Sequence, residues 1–434
     1  MAAVVKSALC YRLPAFWVGN RLKLSFCLLI FLALVVGASC KGLDQDYIAI
    51  GNTDYRNGNY SHAVSDFTEA IRYNPGSSDA YYSRGMAYLQ QKVLAQAIND
   101  FGKAIQLNPQ NPSAYYQRGL AYQMSGNNDL AIADFTSTIQ LEPGNASAYI
   151  DRASIYVGQK KNDAAIADFT KAIALAPQDV SSYRSRSSLY LAKGQIEQAL
   201  SDFSRIIELD PSDEASYYSR GVIYSGQKQY GKAIADFSKA IEITPEDVSL
   251  YNSRGYAYIS NGQPDLAVAD FNKIIQLDAK NEAGYYGRGS AYSEQKNYDK
   301  AIADFSKVIE LDGQNTWAYI KRSAAYRSEN LPARALADLN TAIQIDPNNF
   351  TAYYNRASVY SDRLEYDKAL ADINKAIELS SDDGWLYIAR GNIYIDMQKN
   401  NSAAADFRKA IALSKDAGLT QTAQARLSSL GYQN

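Results

Sequence analysis

Cysteine and histidine are nearly missing from this chain of 434 residues, which has three of the first and one of the second. Cys10, Cys27 and Cys40 all precede residue 44, so no disulfide framework or thiolate metal cluster can sit in the body of the chain. The lone His62 has no second histidine to work with and reads as a surface residue, not a general base. No glycine-rich phosphate loop occurs, and no nucleophile stands beside a base in an asymmetric constellation of the kind catalysis needs. An excess of basic charge is also lacking. The net charge of −2 leaves no basic face for a nucleic acid. The chain is therefore expected to be no enzyme, with no cofactor, no metal and no small-molecule substrate.

Long apolar runs are absent too, with one exception. Residues 24–39, LSFCLLIFLALVVGAS, are uncharged and mostly apolar, with Lys6, Arg12, Arg21 and Lys23 before them and Asp44 and Asp46 after. Basic residues ahead of such a run predict a cytoplasmic start and export of the downstream chain. The run is shorter than the roughly 20 residues of a spanning helix and nearer a signal h-region. Gly37-Ala38-Ser39-Cys40 resembles the lipobox of bacterial lipoproteins, which makes Cys40 a lipidation candidate. Gly37 departs from that pattern, and an uncleaved anchor or a cleaved signal with secretion stays open beside it. Residues 1–40 are accordingly read as a leader or anchor, and 41–43 as a short linker. The membrane is expected as a partner through the N-terminus only.

What the chain has in abundance is a period. Arginine recurs every 34 residues, from Arg84, Arg118 and Arg152 to Arg390, and aspartate keeps the same step from Asp66 and Asp100 to Asp406. With Asp44 as position 1, eleven repeats fill 44–417. Position 4 is always tyrosine, position 8 is glycine, alanine or serine, and position 11 is tyrosine except at Asp54. Steps of four and three place these on one stripe of a helix. Alanine at position 20 and a large apolar residue at position 24, usually phenylalanine as in Phe101 and Phe237, begin a second stripe. Breakers such as Gly58 and Gly126 separate the two. Proline comes after the second stripe at Pro75, Pro109, Pro143, Pro177, Pro211, Pro245 and Pro347, and is expected to stop the second helix. Position 15 alternates glycine and lysine from Gly58 to Lys296, which reads as growth by duplicated pairs. Each repeat is thus a pair of short antiparallel helices, and a period of this length means a solenoid. Residues 418–434 carry Leu419, Ala423, Leu427 and Leu430 at helical spacing and are expected to cap the last repeat.

Tyrosine at 4 and 11, a small residue at 8, alanine at 20, phenylalanine at 24 and proline at 32 resemble the tetratricopeptide repeat family, over residues 44–417. The resemblance implies an all-α fold, a right-handed superhelix whose first helices line a concave groove, and a scaffold that binds proteins or peptides. Chaperone-binding members clamp a carboxylate terminus with lysine at position 5 and asparagine at position 9. No repeat here has both.

Two further sets of residues carry expectations. Antiparallel helices meet where positions sum to a constant, and positions 7 and 23 are nearly level. This predicts an ion pair within each repeat, Arg84 with Asp100 and Arg220 with Asp236, as structural devices and not an arginine ladder for an anion. Positions 2, 5, 9, 12 and 13 fall on the face away from the first stripe. Charge is scarce there, while Tyr82, Tyr116, Tyr218, Tyr256, Tyr286, Tyr354, Trp317 and Trp385 are joined by Arg184. These are the candidate ligand-binding residues of an aromatic groove. A second reading is that the position-5 tyrosines simply pack on a neighbouring repeat. Serine, alanine and glycine dominate beside them, so a protein or peptide ligand is favoured over a polysaccharide stacked on the rings. The expected function is a membrane-anchored extracytoplasmic scaffold, with envelope assembly or secretion as the expected setting; the alternative is a polysaccharide-handling module.

Overall fold

The computed structural model describes residues 42–432. They form twenty-three helices, α1 (Leu43–Arg56) to α23 (Ala417–Ser429), and no strand occurs among them. The leader and Cys40 lie outside the described residues. The odd helices α1 to α21 are the first helices of the eleven repeats, and the even helices α2 to α22 the second. The fold is an all-α helical-repeat solenoid. The chain divides after Asp210 into two units, one holding α1–α10 and the other α11–α23.

Local chemistry sets the ends of each helix. From repeat 2 onward, first helices start behind a serine, asparagine or aspartate at position 34 of the repeat before. Its side chain accepts a main-chain N–H of the first turn, as Asn111 does from Ala114 and Asp213 from Ser216 at 2.8 Å. Such caps satisfy one of the donors a helix start leaves orphaned. First helices end in a left-handed residue at position 15. In repeat 2, Lys92 N–H donates to Leu89 O and Val93 N–H to Tyr88 O, the paired closure of a Schellman turn. Glycine serves at 58, 126, 194 and 262, but Lys92, Lys160, Lys228, Lys296, Asn330, Leu364 and Gln398 take the same positive φ. The glycine–lysine alternation thus marks one backbone state reached by two residue types.

Proline does not stop the second helices. Repeats 7 and 8 lack it, yet their second helices end at Leu277 and Leu311, the same position as elsewhere. In both, the residue at position 31 is extended. The side chain at that position closes the turn with or without proline: Asp278 accepts Lys280 N–H and Asp312 accepts Gln314 N–H, each at 2.9 Å, just as Asn108 and Asp346 accept the N–H two residues on across Pro109 and Pro347.

The core repeats with the chain. Alanine at position 20 and the residue at position 24 are fully or almost fully buried in every repeat. Glycine at position 8 lies under that ring. A Cβ on Gly85 or Gly119 would come within 2.8 Å of Phe101 or Phe135. The last repeat is closed by α23, whose Leu419, Ala423 and Leu427 pack on Tyr387, Ile388, Ala404 and Phe407. Gly384 makes room for Leu419, which a Cβ there would meet at 2.9 Å.

Repeat 1 departs from the others. It has Ile50 where later repeats have arginine, and Ile50 is exposed. Burial pushes the Asp66 carboxyl above its usual range, the nearby Asp54 adds to this, and His62 pulls weakly the other way. A carboxyl raised in the folded state favours folding at low pH. That contribution is present below about pH 4, the unfolded value, and is lost as pH rises through the folded one. Ile50→Arg is therefore expected to stabilise α1 and α2 by roughly 0.5–1 kcal/mol at pH 7, after solvent screening. The gain should vanish near pH 3. Amide exchange of α1 and α2 at the two pH values measures it.

Candidate functional site

The arginine at position 7 is fully engaged. From Arg84 to Arg390 its Nε and Nη2 donate to both carboxylate oxygens of the aspartate sixteen residues on, at 2.6–3.0 Å. Arg84–Asp100 and Arg220–Asp236 are two of these rungs. The aspartates are buried and the guanidinium groups mostly so. Tyrosines at positions 4 and 11 sandwich the cation, as Tyr81 and Tyr88 do Arg84 at 5.7 and 5.9 Å. The hydrogen bond to Asp100 raises the Arg84 pKa above its already high value.

A third contact was not expected from sequence. Nη1 reaches back to position 25 of the preceding repeat: Arg152 to Thr136 at 2.8 Å, Arg322 to Ser306 at 2.9 Å, Arg390 to Asn374 at 2.7 Å. These arginines therefore tie one hairpin to the hairpin before it. The signal lay in the threonine, serine or asparagine that recurs at position 25, broken at Gly102, where Arg118 makes no such bond among the described residues. With its donors committed, this ladder has little left to offer a ligand.

The position-5 tyrosines serve two purposes. Tyr82, Tyr116, Tyr218 and Tyr286 are half-buried, and each ring lies 5.7–5.9 Å from the phenylalanine of its own repeat. Within each unit they form the floor of the first-helix face. The Tyr116 hydroxyl donates to Asp151 at 2.7 Å; burial and that contact push its pKa up. Arg184 is exposed on the same face in repeat 5, and its carbonyl accepts the hydroxyls of Ser187 and Ser188.

Two clefts open on this face within the second unit. One, of about 590 Å³, is lined by Asn252, Tyr256, Glu282, Ala283, Tyr286, Asn315 and Trp317. The other, of about 370 Å³, lies at the end of the repeats and includes Tyr354, Ser358, Trp385, Ile388, Asn392 and Arg426. Trp317 and Trp385 remain 50% and 47% exposed, Tyr256 and Tyr354 36% and 37%. The structure thus brings Tyr256, Tyr286 and Trp317 together in the first cleft, and Tyr354 with Trp385 in the second. Tyr82, Tyr116, Arg184 and Tyr218 line neither. Asn252 and Asn392 each keep a side-chain oxygen covered and without a donor. The second cleft also holds the Arg327–Asp362 ion pair, which bridges two adjacent repeats. Serine, alanine and glycine were expected to dominate beside the rings; the first cleft instead sets Asn252, Asn315 and Glu282 beside its aromatics.

The first cleft is built by a coordinated departure from the repeat. Position 9 is usually small or aliphatic, but in repeat 7 it is Tyr256, whose ring meets Phe271 edge-on at 5.4 Å. Phe271 is displaced toward the next repeat, where a Cβ on Gly287 would stand 2.1 Å from it. Gly287 is the glycine that lets Phe271 tilt and Tyr256 enter the cleft. Burial, with Tyr286 adding to it, pushes the Tyr256 hydroxyl up to about 12, so it stays protonated at neutral pH.

A solenoid of helical hairpins carrying an aromatic, cleft-bearing face on its first helices defines a repeat protein of the interaction type. Tetratricopeptide repeat models match at residues 116–180, 180–213, 248–281, 283–315, 350–383 and 386–416, and a TPR repeat model at 87–126, 226–262 and 324–363. The chain belongs to the tetratricopeptide repeat family, whose members generally serve as protein–protein interaction scaffolds. No curated protein matches it significantly. Among solved structures it is similar to a tetratricopeptide repeat protein from Parabacteroides merdae, at 21% identity and a TM-score of 0.51 over 58% of this chain and 99% of that one. It is also similar to YrrB, a TPR protein with an unusual peptide-binding site, at 27% identity and 0.37 over 42% and 95%. Yeast Tom70 matches at 16% and 0.45 over 89% and 96%. The first of these likenesses shows the fold.

Among the described residues no helix is long and apolar enough to cross a membrane, and no group of side chains is placed to hold a metal ion.

Proposed function

We propose that this protein is a non-enzymatic scaffold that holds an extended segment of a partner protein against the first-helix face of its second unit. The observation that carries this reading is the placement of Trp317, Trp385, Tyr256 and Tyr354, large aromatics left about half or one-third exposed at two clefts on one face. Half-exposed tryptophan beside a cleft is the residue type and setting that dominates binding energy at protein interfaces. The unmet need of Asn392 adds to it. A covered amide oxygen without a donor costs about 1–3 kcal/mol, which a main-chain N–H from an extended segment would recover once the amide turns outward.

A random-peptide display library panned on the full chain, then titration of the selected peptides, tests the reading. Trp385→Ala should weaken binding about tenfold to thirtyfold with no change in thermal stability, because the side chain is half in water. Unchanged affinity would remove the face from consideration.

The leader adds a location. The apolar run at 24–39 behind basic residues, ending in Cys40, supports attachment to a membrane with the repeats outside the cytoplasm, where a scaffold of this kind would act in envelope assembly or secretion. Cells fed a labelled fatty-acid analogue are expected to label the wild-type chain and not Cys40→Ala. Equal labelling would dismiss the lipid anchor.

A further inference from the structure

The cleft between repeats 7 and 9 differs from the rest of the face in its chemistry. Three aromatic rings, Tyr256, Tyr286 and Trp317, share it with one charged residue, Glu282. No lysine or arginine pairs with Glu282 among the described residues, and it is half-buried. Asn252 adds an oxygen that lacks a donor. The oxygen of Asn315, by contrast, is occupied in capping its helix through Ala318 N–H at 3.0 Å. Glu282 therefore leaves a carboxylate acceptor at the cleft, and Asn252 adds a second once its covered amide oxygen turns outward, both set among π faces. We infer that this cleft is a subsite for a basic side chain, lysine or arginine, of the bound polypeptide.

The inference rests on the reading of the face as a protein-binding surface, and it names what one residue of the bound segment must be. An ammonium or guanidinium group has donors and no acceptor. It is drawn to the faces of tryptophan and tyrosine, more strongly where water is excluded. A sugar is the competing occupant, since aromatics beside asparagines also suit a pyranose. It brings as many acceptors as donors, however, and would leave Glu282 paired with a neutral hydroxyl where a cation could neutralise it. The tilt of Phe271 over Gly287 shows that the cleft is specific to this repeat and not a by-product of the period.

The test uses the full chain and three short peptides identical but for one central residue: lysine, its uncharged isostere norleucine, or glutamate. Binding is read from the part of the tryptophan emission change that disappears in Trp317→Phe. The lysine peptide should bind about tenfold tighter than the norleucine peptide, and Glu282→Gln should cut that preference, leaving only the share the ring faces supply. Circular dichroism establishes that the variants are folded. Equal binding of lysine and norleucine, or preference for glutamate, would overturn the subsite while leaving the protein-binding face intact. Absence of peptide binding at millimolar concentration, with soluble oligosaccharides perturbing Trp317 instead, would overturn both.

Discussion

Arg152→Ala is expected to destabilise the first unit by about 3–5 kcal/mol, the range for removing one member of a buried ion pair. The guanidinium holds Asp168 through two bonds at 2.8 and 2.7 Å, holds Thr136 of the preceding repeat through a third, and stacks between Tyr149 and Tyr156. Its loss leaves the buried Asp168 carboxylate without a counter-charge and removes a tie between hairpins. In a solenoid, where stability is close to a sum of repeat and neighbour terms, the damage should concentrate in repeats 3 and 4. Amide exchange would show faster opening of the helices Ala146–Gly158 and Asn162–Leu175 than of the helices Leu43–Arg56 and Tyr60–Tyr73. The double variant Arg152→Met with Asp168→Leu should recover most of the loss, because apolar groups of similar volume often replace a buried pair at no net cost. A single variant costing less than about 1 kcal/mol, the worth of an exposed pair, would show the rung to be solvated and would make the arginines candidate ligand contacts again.

Gly287→Ala is expected to cost about 2 kcal/mol, and to act on the cleft as well as on stability. Overpacking a filled core costs about 1–3 kcal/mol, and this methyl would be placed 2.1 Å from the Phe271 ring. The better helix propensity of alanine returns at most about 1 kcal/mol. The ring cannot retreat, since Tyr256 and Gly255 lie on its other side. Replacing Tyr256 by serine in the same chain frees that side, so Tyr256→Ser with Gly287→Ala should be more stable than Gly287→Ala alone. Such coupling is what neighbouring residues sharing one space show in a double-mutant cycle. Strict additivity of the two changes in urea unfolding would contradict this origin of the cleft.

Much of this architecture was legible in the residues because the repeat supplies its own controls. Tyrosine at 4 and 11, a small residue at 8 and the aromatic at 24 define two stripes, and the level meeting of positions 7 and 23 comes from antiparallel register alone. The backward reach of arginine to Thr136 or Ser306 was not legible by that reasoning, which treats each hairpin by itself; the partner belongs to the hairpin before. Proline is the visible breaker, whereas the side chain just before it, Asn108 or Asp346 as well as Asp278 or Asp312, makes the turn whether or not proline follows. At the candidate site, the tyrosines of position 5 were open to two readings, and the structure makes them both floor and lining. Tyr256 was read from the sequence as a groove residue, but its dependence on Gly287 passes through the tilt of Phe271. That tilt is a matter of packing between neighbouring repeats, which no count of spacing contains.

Whether the first-helix face of the second unit holds an extended polypeptide is tested most directly by photo-crosslinking. A benzophenone side chain is placed at position 385, and in a second chain at position 239, an exposed lysine of the second helix in repeat 6. Each chain is irradiated with a library-selected peptide. Adducts are expected at 385, abolished by excess unlabelled peptide, and none at 239. Adducts at both positions alike, or at 239 alone, would contradict a binding role for this face.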